Sequence, residues 1–234
     1  MLFDNFDSIN EFINDNKYSE ERNCEFKSSN PWSNDFRMTI TKAILCMANK
    51  KNGGSIIIGV DENKDKGIFT INGSDEQMTN QYSGDEIRKF VNEKYADPSV
   101  SLTVQKIKIV NSEKYLINIH VSEFDNIPIT CKKEYKDILK KDSLYSRSFK
   151  KPECSSSLTS EELREIIDMA KDKAVKKEIE HLKEIGVIPS LNQVDKAVKK
   201  EIEHLKEIGV PSLNQVDSVN ILDNEKFANE RNGF

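Results

Sequence analysis

Asn52-Gly53-Gly54-Ser55-Ile56-Ile57-Ile58-Gly59-Val60-Asp61 is the stretch on which the fold turns. Three consecutive isoleucines followed by a valine leave no polar face, the pattern of a short central strand covered on both sides. Asp61 falls where such a strand emerges from the core. Gly53-Gly54 ends the preceding element in a tight turn. It is not a phosphate loop, because the flanking lysine and preceding strand that such a loop needs are missing, and no nucleotide cofactor follows from it.

Upstream, Ile40, Ala43, Ile44, Met47 and Ala48 recur at helical spacing and predict a helix over 36–49, lying on a sheet. Asn30-Pro31-Trp32 reads as a turn, with Trp32 as a packing anchor rather than a stacking platform. In residues 23–28, alternation sends Cys24 and Phe26 to one face and Glu25 and Lys27 to the other, a half-buried strand with a charged outer pair. Phe6, Ile9, Phe12 and Ile13 mark a short amphipathic helix, with Asp7 and Ser8 available as caps.

Downstream, 67–72 reads as a strand and 84–95 as a helix with Ile87, Phe90 and Val91 inside. Residues 100–110 and 114–121 alternate as a hairpin around Asn111-Ser112-Glu113, and 127–132 and 143–148 supply two short strands. Thr159-Ser160-Glu161-Glu162 opens a helix with an N-cap and an acidic first turn. This order predicts an α+β domain over about residues 1–170, with a mixed, mostly antiparallel sheet and packed helices, followed by a helical C-terminal tail over 171–234.

The tail contains a tandem repeat: 172–194 is copied as 195–216, with Ile188 dropped from the second copy. Val175, Ile179, Leu182 and Ile185, or Val198, Ile202, Leu205 and Ile208, form one helical stripe per copy, ended by Gly186 or Gly209. Two units are too few for a stacked solenoid, and an isolated helix of this length is marginal in water, so each stripe needs a partner.

With 234 residues the chain has room for one good core and an accessory segment. The N-terminus lacks the basic start and apolar stretch of a secretory signal, and no later run is long enough to span a bilayer, so the expected location is the cytoplasm, away from membranes. Cys24, Cys46, Cys131 and Cys154 are far apart and lack zinc-site spacing, as expected of reduced and mostly buried thiols. His181 and His204 occupy matching repeat positions, which leaves little for a histidine triad or zinc centre. From Glu161 onward stand 12 Lys+Arg and 16 Asp+Glu of the chain's 35 and 40, leaving 23 and 24 in the first 160 residues. Any phosphate-binding surface on this nearly neutral domain must be a local patch.

A carboxylate shortly before Glu25-Phe26-Lys27, a helix carrying Ala48-Asn49, the Gly53-Gly54 turn and the strand 56–61 together resemble the Schlafen AlbA-like domain. Ile119-His120-Val121 before Pro128, and Leu144-Tyr145-Ser146-Arg147-Ser148 ahead of the Ser160-Glu161-Glu162 helix, are similar to its closing strands and arginine. The resemblance runs from about Glu11 to Ala170. It implies a DNA- or RNA-binding module, and in some members of the Schlafen type a metal-dependent endoribonuclease acting on structured RNA such as transfer RNA. It also implies an acidic site of Glu20, Glu25 and Asp61, with Glu21 competing for the first place.

Three carboxylates without a histidine suit a hard cation, Mg²⁺ or Mn²⁺, able to polarise a phosphodiester or activate water. Lys27 shares the face of Glu25 and stands where it can stabilise charge on a phosphate. The plainer reading of Glu25 with Lys27 is a surface ion pair worth about 0–1 kcal/mol, and of Asp61 a turn residue. Lys132, Lys133, Arg147, Lys150 and Lys151 come from two late strands and their connection, a candidate phosphate-contacting patch interleaved with Glu134, Asp137, Asp142 and Glu153.

Three functions compete: nucleic-acid binding in regulation or defence, metal-dependent RNA cleavage, and an interaction protein acting through the repeat. The family's enzymes combine two related lobes, and this chain carries one. Cleavage would require a homodimer or a one-lobe site, so binding ranks first.

Overall fold

The computed structural model describes residues 3, 5–15, 22–63, 68–149, 153–187, 196, 198–200 and 203–204. The main sheet has the order β1-β2-β7-β6, from β1 (Cys24–Lys27), β2 (Gly54–Ile58), β6 (Leu102–Lys108) and β7 (Tyr115–Val121). β1 runs parallel to β2, placing Glu25 opposite Ile56 and Lys27 opposite Ile58, and the other pairings are antiparallel. A parallel pair needs a crossover, here supplied by helix α2 (Asn34–Ala48).

Three two-stranded ladders surround this sheet: β3 (Val60–Asn63) with β4 (Ile68–Ile71), β5 (Ala96–Asp97) with β8 (Thr130–Cys131), and β9 (Ser146–Arg147) with β10 (Cys154–Ser155). Helices α1 (Phe6–Asp15), α3 (Glu76–Thr79), α4 (Gly84–Lys94) and α5 (Ser160–Glu184) complete the α+β architecture.

Strand alternation divides the core. Ile56 and Ile58 of β2 join Ile117, Ile119 and Val121 of β7 in a cluster with α2, α4 and the first turns of α5. Ile57 points the other way, into a smaller cluster with Cys24, Phe26, Leu116 and the α1 residues Ile9, Phe12 and Ile13. The three isoleucines are fully buried, each contributing about 1.5–3 kcal/mol by leaving water. This two-sided cover is why the run lacks a polar face. Trp32 packs edge-on to Phe36 and against Tyr82, as a packing anchor.

The central strand ends sooner than expected. Gly59 has φ +106°, a conformation that side chains with a Cβ rarely adopt, and the chain turns there into the separate β3–β4 hairpin. Asp61 therefore pairs with Thr70 in that hairpin and does not extend the central strand. Gly53 is constrained too: with φ +64°, an added Cβ would meet the Val121 carbonyl oxygen at 2.1 Å. Residues 52–54 thus press directly on the end of β7.

Two helix starts are instructive. Asn5 Oδ1 accepts from the Ser8 amide at 2.9 Å, so Asn5 takes the capping place expected of Asp7 or Ser8. At α5, Thr159 Oγ1 accepts from the Glu162 amide (3.2 Å) while Glu162 Oε2 accepts from the Thr159 amide (2.8 Å), a reciprocal capping box.

Chain contacts divide the protein into two units, residues 1–177 and 178–234. In the second, Gly186 (φ +75°) donates to the Lys183 carbonyl and Val187 to that of Leu182, the paired bonds of a glycine-terminated helix. Of the second repeat copy, 196, 198–200 and 203–204 are helical and exposed. Ile202, Leu205, Ile208 and Gly209 lie outside the described residues. Among the described residues no helix is long and apolar enough to cross a membrane.

Candidate nucleic-acid interface

Glu25 and Lys27 leave β1 on its α2 side, opposite the buried face of Cys24 and Phe26. Thr39, Lys42 and Ala43, one turn apart on α2, form the facing wall, and Glu153 and Cys154 beside the β9–β10 hairpin close the end. The result is a cleft of about 310 Å³. The sequence reading of an exposed charged pair holds only in part, since Glu25 is 7% exposed.

Its carboxylate is held from two directions. Oε2 lies 2.5 Å from Arg147 Nη1, and the Cys154 thiol donates to the same oxygen at 3.5 Å, while Oε1 lies 2.6 Å from Lys27 Nζ. Arg147 is fully buried and also donates from Nη2 to the Cys24 carbonyl at 3.1 Å, fastening β9 to β1.

The outer side of Arg147 is braced in turn. Arg22 Nε donates to the Arg147 carbonyl (2.9 Å), and its terminal nitrogens grip both Glu165 oxygens at 3.0 and 2.5 Å. Its guanidinium lies 3.6 Å from the centroid of the Phe149 ring. Glu162 receives the amides of Phe149 and Thr159, so α5 and the β9 strand end share one carboxylate. Burial alone would raise Glu162, but donors from Thr159, Ser148 and Phe149 outweigh it and hold the carboxyl below its ordinary value. Nearby, burial first and then the charges of Arg22 and Arg147 lower the Lys50 ammonium. Burial, reinforced by Cys154 and Glu25, pushes the Cys46 thiol well up.

The other expected site residues that are described stand on different elements. Glu20 and its competitor Glu21 lie outside the described residues, as do Lys150 and Lys151. Asp61 accepts from the side-chain amide of Asn72, the residue just past the end of β4. Arg147, expected in an exposed basic patch, is turned inward and spends its charge on Glu25. Lys132 Nζ donates to the Asn92 carbonyl near the end of α4 (2.9 Å), and Lys133 is exposed.

The fit to a divalent cation can be judged for two of the three carboxylates. Glu25 is engaged by two cationic side chains in the main sheet and Asp61 by the side-chain amide of Asn72 in the β3–β4 ladder, while Glu20, the third expected ligand, lies outside the described residues. Among the described residues no group of three or more His, Cys, Asp or Glu side chains is placed to hold a metal ion.

Sequence reading missed Thr39, Lys42, Cys154 and Arg22. The i, i+3 spacing of Thr39 and Lys42 did mark one polar strip on an otherwise buried helix, but only the packing of β1 against α2 brings it to Glu25.

Among curated proteins, none matches the chain. Similar solved structures include the DIP2311 protein from Corynebacterium diphtheriae, 15% identical over 67% of this chain with TM-score 0.43. The match covers 27% of that protein, so this chain spans about a quarter of its length. Another is the solution structure of the N-terminal domain of a RecG-related protein from Nitrosomonas europaea, named for an ATP-dependent DNA helicase. It is 18% identical with TM-score 0.40, the match covering 58% of this chain and 85% of that one. The model of the family described as Schlafen, AlbA_2 matches residues 20–151, more than half of the chain and all of β1 to β9. The chain belongs to the Schlafen, AlbA_2 family.

Proposed function

We propose that this is a nucleic-acid-binding module whose phosphate contacts come from Lys27 and Lys42 at the Glu25 cleft. The observation that carries this is the buried Arg147 behind Glu25. It offsets the carboxylate from inside, so the two lysines and Glu153 set the charge met by a ligand, with a cationic excess. The nearly neutral domain thereby gains a local basic spot without a basic composition. The Schlafen resemblance points the same way, to DNA or structured RNA as the partner class.

The test is fluorescence anisotropy of the full chain with labelled transfer RNA, duplex DNA and single-stranded DNA, with and without Mn²⁺, across a salt series. Wild type should bind at least one of them with an affinity that falls as salt rises. K27A/K42A should bind more weakly, with a log–log salt slope shallower by about 1.4–1.8. Equal affinity and slope in the two proteins would remove the cleft as the interface. Fragments appearing only with Mn²⁺ would assign metal-dependent cleavage instead.

A further inference from the structure

A second cleft, of about 380 Å³, opens between the start of α2 and the outer face of α4. Trp32 and Arg37 line one side, and Glu86, Lys89, Phe90, Glu93 and Lys94 the other. The last five recur at i, i+3, i+4, i+7 and i+8, so they form one stripe of α4, while Ile87 and Val91 face the core. Stripes of this kind usually pair their own charges. Here none of the four charged side chains of the stripe, nor Arg37 across the cleft, forms an ion pair with another described residue, although Glu86 with Lys89 and Lys89 with Glu93 have the spacing for it.

The aromatic part is partly covered by cations. Arg37 Nε donates to the Trp32 carbonyl at 3.0 Å, fixing the guanidinium 5.6 Å from the Trp32 ring and 5.7 Å from the Phe90 ring. Lys94 Nζ lies 5.1 Å from Phe90 on this stripe. Phe90 keeps partial exposure and leans on Tyr95 behind it, with ring centroids 5.3 Å apart. A flat aromatic ring flanked by positive charge, with carboxylates at the margin, is complementary to a planar base that carries both a phosphate and amino groups.

We infer that this cleft is a binding subsite for one unpaired nucleotide of a single strand. The base stacks on Phe90 and the Arg37 guanidinium. Its phosphates meet Lys89 and Lys94, and an exocyclic amine donates to Glu86 or Glu93, as carboxylates read cytosine. A duplex, with its bases stacked inside, cannot fill it. This inference rests on the nucleic-acid reading above, adding to it a preference for single strands and for amine-bearing bases.

Trp32 is the one tryptophan of the chain, so its emission reports on this cleft alone. The full chain is titrated with ten-residue oligodeoxycytidine and oligodeoxythymidine, following both anisotropy and Trp32 emission, in wild type, F90L, K89A/K94A and K27A/K42A. Binding of oligodeoxycytidine should change Trp32 emission and be tighter than that of oligodeoxythymidine. F90L should weaken binding about fivefold or more, and K89A/K94A should lower the salt slope by about 1.4. K27A/K42A should reach the same emission change at saturation, but at a higher oligomer concentration. An oligomer that binds by anisotropy, leaves Trp32 emission unchanged and binds F90L and K89A/K94A like wild type overturns the subsite while leaving the module a nucleic-acid binder. No binding of any DNA or RNA overturns both.

Discussion

The two clefts beside α2 handle charge in opposite ways. At Glu25 the carboxylate is held between two cations, Lys27 and Arg147, with Arg147 fully buried and Glu25 nearly so. Around Phe90 the charges are unpaired and mostly exposed. Removing two ions from water is costly, and a buried pair repays that only when its geometry is good, so the Glu25–Arg147 contact works chiefly as a fastener between β1 and β9. Surface charges cost little to leave solvated and remain available to a ligand. One cleft is architecture carrying two cations at its mouth, whereas the other is a free surface.

Arg147→Ala should sharpen this contrast most. It takes away the buried partner of the Glu25 carboxylate, leaving Lys27 as its cationic partner, and removes the tie to the Cys24 carbonyl, so the expected loss is about 3–5 kcal/mol, read from the urea midpoint. The double change E25L/R147M should recover most of that loss, because it removes both charges together. Loss of less than about 1 kcal/mol in Arg147→Ala would show that the contact is not a fastener.

A smaller effect is expected at Glu162→Gln, which keeps the shape of the side chain but removes its charge from the Thr159 and Phe149 amides. The cost at neutral pH should be about 1–3 kcal/mol. The folded carboxyl is held below its ordinary value of 4.5, so its stabilisation is complete above that value. It is lost as pH falls through the lower folded value. Urea midpoints of wild type and Glu162→Gln should therefore converge toward pH 3, and a constant gap between pH 7 and pH 3 would contradict the assignment.

Smallest of all, K89A/K94A should shift stability by no more than about 0.5–1 kcal/mol, because neither side chain forms an ion pair with another described residue and the Lys94 contact with Phe90 is an exposed cation–π contact. A larger loss in its thermal melt would mean that the α4 stripe is structural after all, and the comparison of the two clefts would break.

What was legible in the sequence follows from how local its causes are. The hairpin of β6 and β7, the helix α4 and the capping box at Thr159 depend on alternation, spacing and neighbours three residues apart, and each reads directly. Gly59 does not, because a glycine inside an apolar run looks like strand until its backbone turns to φ +106°. That one residue moves Asp61 into another ladder. Arg147 reads as a surface cation because its neighbours in sequence are Ser146, Ser148 and Phe149, none of which reveals the distant Glu25 that draws it inward. Lys42 is hidden for the same reason, a polar residue on a helix whose dominant signal is its apolar spacing.

The Glu25–Arg147 contact joins residues 122 positions apart. A ribosome adding about 5–20 residues per second needs roughly 6–24 s to travel that distance. For most of that interval, once residue 58 is made, the nascent chain contains β1, α2 and β2, with an acidic side chain facing the helix that covers it and without the Arg147 that is to meet it. The growing sheet thus cannot seal its edge until the final short hairpin is made, and a fragment ending before residue 147 would display β1 as an open, charged border.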